Sequence, residues 1–101
     1  MKTSELTGAA LDWAVTKCEG FDHKVTSSEW GLWGWATDWA QGGPIIEREG
    51  ISLEYAAQPE KWCACIRADQ EVYGPTALIA AMRCYVASKL GDEVEIPEEL
   101  P

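Results

Sequence analysis

Two short segments of alternating polarity lie between two segments with helical periodicity, and no other feature constrains the fold as strongly. Over 51–55 every second residue is apolar, and over 62–67 the residues Trp62, Ala64 and Ile66 alternate with two cysteines and an arginine. Because successive side chains of a strand point to opposite faces, this alternation predicts two half-buried strands. The intervening AAQPE is a suitable hairpin connection, with its proline outside the paired ladder. Residues 72–73, before a Gly-Pro turn, predict a short third strand.

The two flanking segments, residues 7–20 and 77–90, carry apolar residues at helical spacing. Side chains at i, i+3, i+4 and i+7 lie on one face of a helix, so each segment predicts a helix with a buried stripe. Thr7 and Thr76 are suitable N-caps, and a glycine stands where each helix should end. The two stripes consist of Leu11, Ala14, Val15 and Cys18, and of Leu78, Met82, Tyr85, Val86 and Leu90.

The remaining segments are less regular. Thr37 or Asp38 is a suitable N-cap for a middle helix that we expect to be interrupted at Gly42-Gly43. This helix should restart at Pro44, because proline is tolerated at the first helical position, and should end at Gly50. Residues 2–6 predict a short lead-in strand.

A chain of 101 residues allows one domain. The element order predicts the α+β class: a single small domain over residues 1–91, in which two or three helices pack with a small antiparallel sheet, as in an α-β-α sandwich. Residues 92–101 should form an acidic C-terminal tail. Asp12, Thr16 and Glu19 should lie mostly on the polar side of the first helix. We expect one shared core, formed by Leu11, Val15, Leu53, Trp62, Ile66, Met82 and Val86.

The charge of the chain is strongly negative, with 17 acidic and 8 basic residues and a net charge of −9. Such a chain repels phosphate backbones, so we expect no direct binding to nucleic acid. Five of the acidic residues follow Gly91 without a basic neighbour. Two interpretations of this tail stay open: a solvated terminus that aids solubility, or a nucleic-acid mimic that occupies a basic host surface.

The N-terminal segment MKTSELTG lacks the apolar core of a signal peptide. No apolar run approaches the roughly 18 residues that span a bilayer. We therefore expect a cytoplasmic protein without membrane contact, in which the four cysteines are thiols rather than a disulfide framework.

The residues that could carry catalysis or bind metal do not form a recognisable constellation. His23 is the only histidine and stands in a polar stretch without the signature of a nucleophile turn. Glu47 and Glu49 would point about 200° apart on a helix, so they cannot share a site there. Cys63 and Cys65 share a strand face but lack a second matching pair. The sequence therefore predicts no enzyme, no metal site and no cofactor.

The tryptophans give the strongest functional signal, since four of the six lie within residues 30–39, with Gly31 and Gly34 between them. Trp13 and Trp62 fall on apolar faces and should be core. A glycine-rich loop buries side chains poorly, and exposed aromatics beside a carboxylate are typical of binding hot spots. The alternative is that these tryptophans fold back as a small core over the sheet. The predicted binding surface consists of Trp30, Trp33, Trp35, Asp38 and Trp39.

Three stretches of the chain resemble a known family. KTSELTGAALDWAVTKCEG, TDWAQGGPIIEREGI and GPTALIAAMRCYVASKLGDEVEIPEEL are similar, in order and spacing, to the NinX-like proteins of lambdoid phages and prophages. Residues 23–35 and 58–73 do not share the resemblance. It implies a phage protein made in the cytoplasm of the bacterial host, near other small accessory genes, in a family whose molecular function is unassigned. The element order is also similar to small α-β-α sandwich domains of phages.

Together these observations predict a non-catalytic phage accessory protein that binds and modulates a host protein, in takeover or counter-defence. The alternative is a small-molecule or nucleotide-binding protein that sequesters its ligand between tryptophans. A hydrolase is the third class considered, and the absent catalytic constellation argues against it. The sequence does not predict the oligomeric state.

Overall fold

The structure, a computed structural model, describes residues 2–20, 34–55, 62–67 and 70–95. In these ranges the chain forms three helices and a three-stranded antiparallel sheet, so the predicted α+β class is confirmed. A 3-10 turn at Thr3–Glu5 comes first. The elements that follow are α1 (Gly8–Cys18), α2 (Trp39–Glu49), β1 (Ser52–Tyr55), β2 (Trp62–Arg67), β3 (Gln70–Gly74) and α3 (Ala77–Leu90).

The sheet has the strand order β1-β2-β3, with both neighbouring pairs antiparallel. Leu53 stands opposite Ala64, which stands opposite Val72 on the other side. Directly opposed residues share a face, so these three side chains point the same way. The register shifts between Cys65 and Arg67. The two strands predicted from alternation and the short third strand are therefore all present.

The helix α3 is the central element of the described fold. It contacts all three strands, and it also contacts α1, α2 and the N-terminal turn. Its buried residues accordingly surround the axis rather than form the single stripe that the sequence predicted. Ala80 and Ala81 are fully buried and let neighbouring elements approach closely. A Cβ on Gly74 would lie only 2.7 Å from the backbone nitrogen of Ala80, so the end of β3 touches the first turns of α3.

A buried arginine on α3 holds two distant segments to this helix. Arg83 is only 9% exposed. Its Nε donates to the carbonyl oxygen of Leu6 at 2.7 Å, and its Nη1 donates to the carbonyl oxygen of Tyr73 at 2.9 Å. Charge-assisted hydrogen bonds of this kind offset the cost of removing the guanidinium from water. The N-terminal segment, β3 and α3 are thus joined by one side chain that the helical pattern did not single out.

The predicted lead-in strand at residues 2–6 is wrong, because this segment forms the 3-10 turn instead. The backbone nitrogen of Thr3 donates to the carbonyl oxygen of Asp92 at 2.8 Å, and the Thr3 hydroxyl donates to the carbonyl oxygen of Gly91 at 3.1 Å. The segment therefore pairs with the chain just after α3, with a single bridge between Lys2 and Glu93, rather than with the sheet. Val94, within the segment predicted as a tail, packs into the core, whereas residues 96–101 of that segment lie outside the described residues.

The helix α2 runs without interruption, so the predicted break at its two glycines is wrong. A Cβ on Gly42 would lie 2.3 Å from the carbonyl oxygen of Trp35 and 2.6 Å from Cδ1 of Leu78. Glycine therefore permits the close approach of α2 to the Trp35 turn and to α3, and this packing offsets its low helix propensity. Pro44 lies inside the helix and is exposed. It removes one hydrogen-bond donor, a cost that the packed face of α2 outweighs.

The predicted core is confirmed, because all seven expected residues belong to one cluster of buried and half-buried side chains. Leu11, Val15, Met82 and Val86 are fully buried. The other three pack against the cluster from the sheet: Leu53, Trp62 and Ile66.

The two glycines of α2 provide a matched test of this packing. Gly42→Ala should destabilise the protein by about 1–3 kcal/mol, because the added methyl group collides with backbone and with Leu78. Gly43→Ala should stabilise it by about 0.5–1 kcal/mol, because the nearest atom to its Cβ is Cε3 of Trp39 at 3.9 Å and alanine favours the helix. Urea unfolding of both variants measures the difference, and equal effects would contradict the close contact at Gly42.

Candidate functional site

The predicted tryptophan surface is described only in part. Trp30 and Trp33 lie outside the described residues, as does His23. The structure places Trp35, Asp38 and Trp39 at the start of α2, where the chain turns from Gly34 into the helix. The three residues are close in sequence, but they occupy different environments.

Trp35 is a core residue, since only 6% of it is exposed. Its indole Nε1 donates to the Thr16 hydroxyl at 2.9 Å, in a buried hydrogen bond. Next to it, the backbone nitrogen of Ala36 donates to Oδ1 of Asp12 at 3.2 Å. The expectation that Thr16 lies on the polar side of α1 is therefore wrong, because it accepts the bond from Trp35. Of the two interpretations of the tryptophan cluster, packing into the core applies to Trp35, which cannot serve as an exposed contact.

Asp12 and Thr16 together fix the turn that carries Trp35. Thr16 also donates to the carbonyl oxygen of Asp12 at 2.8 Å. Burial raises the pKa of the Asp12 carboxyl, and the hydrogen bond from the Ala36 backbone lowers it in part. One turn of α1 thus offers two acceptors to the segment before α2.

Of the two N-caps that the sequence offered for α2, the structure shows Asp38. Its Oδ1 accepts from the backbone nitrogen of Ala40 at 2.9 Å, and Gln41 donates to its Oδ2 at 3.3 Å. Gln41 also accepts from the backbone nitrogen of Gly34 at 2.6 Å, which closes the turn onto the helix. The carboxylate of Asp38 nevertheless remains at the exposed end of α2.

Trp39 is the first residue of α2, and 55% of it is exposed. Its ring lies beside Gly43, one turn later on the helix, where an added Cβ would be 3.9 Å from Cε3. The alternative that the clustered tryptophans fold back as a small core therefore does not apply to Trp39. Among the described residues, Trp39 and Tyr55 are the large apolar side chains that are exposed.

A shallow cleft of about 270 Å³ opens beside Trp39, between the start of α2 and the start of α3. The Thr76 hydroxyl at its edge accepts from the backbone nitrogen of Ile79 at 3.0 Å, so it caps α3 and is engaged within the chain. The described lining carries no charged side chain, and it consists of Ala36, Thr37, Trp39, Thr76, Ala77, Leu78 and Ile79. We call Asp38, Trp39 and this cleft the Trp39 surface.

A polar network elsewhere joins the three helices. Arg48 of α2 binds the carboxylate of Glu19 with both terminal nitrogens, at 2.6 and 3.1 Å. The hydroxyl of Tyr85, on α3, donates to the same carboxylate and accepts from Arg48 at 3.1 Å. The Arg48 hydrogen bond is the main cause that lowers the pKa of Glu19. Burial, followed by the bond to Glu19, raises the pKa of Tyr85 well above its usual range. Because every member is engaged, the network is suited to holding the helices together rather than to acid–base chemistry.

The four cysteines are free thiols. Burial raises the pKa of Cys18 and of Cys84 to about 11, and burial also raises the pKa of Cys63. Thiols with such pKa values are protonated near neutral pH and are poor nucleophiles. In the described part of the chain, no group of three or more histidine, cysteine or acidic side chains could hold a metal ion. Nor does any helix there have the length and apolar character to cross a membrane.

The family model described as "Bacteriophage P22, NinX" matches residues 2–89, which is most of the chain. No curated protein matches the chain.

Replacing Trp35 tests its place in the core. Trp35→Ala should lower the free energy of unfolding by about 3–5 kcal/mol, because it removes a large buried ring and leaves the Thr16 hydroxyl without its donor. Trp35→Phe keeps most of the ring and should cost less. Denaturant unfolding measures both, and a loss below about 0.5 kcal/mol for the alanine variant would show that Trp35 is not core.

The Glu19 network predicts a defined pH dependence. A carboxyl whose pKa is lowered on folding stabilises the fold above its ordinary value of 4.5, and this contribution is lost as the pH falls below that value. Glu19→Gln should therefore lower the free energy of unfolding by about 1 kcal/mol at neutral pH, a modest amount because the Arg48 side chain is half exposed. The loss should become progressively smaller below about pH 4.5. The raised pKa of Tyr85 sets the upper end of the pH range in which the network stabilises the fold, because the stabilisation by the protonated hydroxyl is lost as the pH rises above 10.

The matched control for this measurement is Glu47→Gln, which removes the same charge from an exposed position of α2. It should change the free energy of unfolding by less than about 0.5 kcal/mol. A cost of Glu19→Gln that is independent of pH between 3 and 7, or no larger than that of the control, would contradict the role of the network.

Proposed function

This chain belongs to the bacteriophage P22 NinX family, and from that premise we propose that it is a non-catalytic phage protein that binds and modulates a host protein through the Trp39 surface. A phage protein made inside a bacterium meets host proteins in the cytoplasm. The proposed partner is accordingly a soluble host protein whose activity changes when its own surface is covered.

The observation that carries the proposal is the exposure of Trp39. Trp13 and Trp35 are 3% and 6% exposed, whereas Trp39 is 55% exposed at the edge of an uncharged cleft. A tryptophan left in water forgoes a large part of the burial energy that its ring offers. A partner that covers the ring recovers this energy, which is why tryptophan is enriched at binding hot spots.

The size of the cleft supports a protein partner more than a small ligand. Its volume of about 270 Å³ lies below the roughly 300–1,000 Å³ of typical small-molecule pockets. A nucleotide held between two tryptophans needs a second ring, and Trp39 is the one aromatic among the described residues that line the cleft. One side chain of a protein partner would fill this space, with Trp39 packed beside it.

The neighbouring residues support a docking surface that is ready to bind. The Asp38 cap and the bond from Gly34 to Gln41 fix the start of α2, and the Thr76 cap fixes the start of α3. A contact residue on a fixed helix end loses less conformational entropy on binding than one on a loose loop. The negative net charge also supports a protein partner over nucleic acid.

The test compares Trp39→Ala with Tyr55→Ala, which removes the other exposed aromatic of the described residues. Tyr55 is 62% exposed, and its ring packs edge-on against the Trp62 ring with 5.4 Å between the ring centres. Neither residue belongs to the described lining of the cleft. The unchanged chain and the two variants are each immobilised and exposed to an extract of the bacterial host. The partner retained by the unchanged chain should also be retained by Tyr55→Ala and lost by Trp39→Ala.

The captured partner is then purified and titrated by calorimetry. Trp39→Ala should weaken its affinity about 30-fold or more, which corresponds to 2 kcal/mol at a hot spot. Circular dichroism and thermal unfolding must show that both variants remain folded. A partner bound equally by the unchanged chain and by Trp39→Ala would place the functional surface elsewhere, and binding of free nucleotides that depends on Trp39 would support the sequestering alternative instead.

A further inference from the structure

We infer that the group received by the Trp39 surface is a cation, namely an arginine or lysine side chain on a basic surface of the partner protein. The inference rests on the proposed docking role of Trp39 and adds the chemistry of the contact. In this arrangement the cation lies over the Trp39 indole and close to the carboxylate of Asp38.

The geometry at the start of α2 provides the two elements of such a site. Trp39 and Asp38 are consecutive and both exposed, and the indole rests beside Gly43, where no side chain covers it from the helix. A cation over an aromatic ring is attracted by the negative face of the ring, and this attraction is strongest for the indole of tryptophan. The carboxylate of Asp38, which caps the same helix end, adds a full negative charge there.

Other aromatic rings of the chain already hold cations of their own. The Nζ of Lys17 lies 5.4 Å from the centre of the Trp13 ring. The Tyr85 ring has the Arg48 guanidinium at 5.7 Å and the Lys89 Nζ at 5.9 Å. Within the described residues, no basic side chain lies over Trp39 in this way. A cation over the exposed Trp39 ring would therefore come from outside the described fold.

The charge of the chain favours the same occupant. A protein of net charge −9 attracts basic surfaces and repels acidic ones, and the described lining of the cleft holds no charge that would oppose a cation. The positive ends of α2 and α3 point toward this region and favour anions. However, the Asp38 and Thr76 side chains accept from first-turn nitrogens. The full negative charge of Asp38 offsets the two half charges of the helix ends, and the net charge of −9 then favours a cation.

The experiment uses a defined probe, the peptide acetyl-Arg-Arg-Arg-amide, titrated into the full chain labelled with ¹⁵N at low salt. The Trp39 indole signal is assigned as the one that disappears in Trp39→Phe. We expect the arginine peptide to shift this signal in a saturable way. The matched peptide with citrulline, which has nearly the same shape without the charge, should not shift it. Raising the salt concentration should weaken the effect.

The variant Asp38→Asn isolates the carboxylate, because asparagine caps a helix about as well as aspartate. It should bind the arginine peptide about two- to fivefold more weakly and leave the thermal stability unchanged. Asp92→Asn removes the same charge from an exposed position beyond α3 and is the matched control. It should alter the binding by less than twofold.

The outcomes separate the two proposals. If Trp39→Ala loses the host partner while the arginine peptide leaves the Trp39 indole unmoved, or moves it no more than citrulline does, then docking stands and the cation inference is wrong. Equal arginine binding by Asp38→Asn and by the unchanged chain would also overturn the inference. If arginine binds at Trp39 but the host partner is retained by Trp39→Ala, the cation site stands and the proposed function is wrong.

Discussion

The rest of the structure depends on the burial of α3 between the sheet and the other helices. A helix that is surrounded on nearly all sides needs small residues where its neighbours come closest, and Ala80 and Ala81 supply them. It also needs a partner for every polar group it carries inward. The guanidinium of Arg83 meets this need by donating to the carbonyl oxygens of Leu6 and Tyr73. A charged group, whose removal from water costs much free energy, thereby also joins the N-terminal segment to β3.

Local periodicity was sufficient to predict the elements that contribute to this core. The alternation at residues 51–55 and 62–66 gave the hairpin, and the capped stripe at 77–90 gave α3 with its observed limits. These patterns are local, and each records which side of an element is buried. They do not record partners that are distant along the chain. Arg83 and Thr16 were missed for this reason, because their partners lie 77 and 19 residues away and polar helix residues usually face water.

The same limit explains the wrong prediction for α2 and the different environments of Trp35 and Trp39. Glycines interrupt a helix by their intrinsic propensity, but a contact with Trp35 and Leu78 reverses the preference at Gly42. The tryptophan cluster was predicted as one surface, yet Trp35 faces the core and Trp39 faces solvent. Composition identifies an excess of aromatics, whereas the directions of the Trp35 and Trp39 rings are set by the turn from Gly34 to Asp38 and by the acceptor at Thr16.

The inward direction of Trp35 and the outward direction of Trp39 are physically linked. The buried bond from Trp35 to Thr16 holds the turn against α1, and the carbonyl oxygen of Trp35 packs onto Gly42 one turn inside α2. These contacts fix the axis of α2, so its first residue is held at the rim of the cleft rather than folded into the core. Core tryptophan and surface tryptophan are therefore two parts of one arrangement. Because the core ring positions the exposed one, the fold itself holds the Trp39 surface in place. A partner of the kind we propose would therefore bind it with little further loss of conformational entropy.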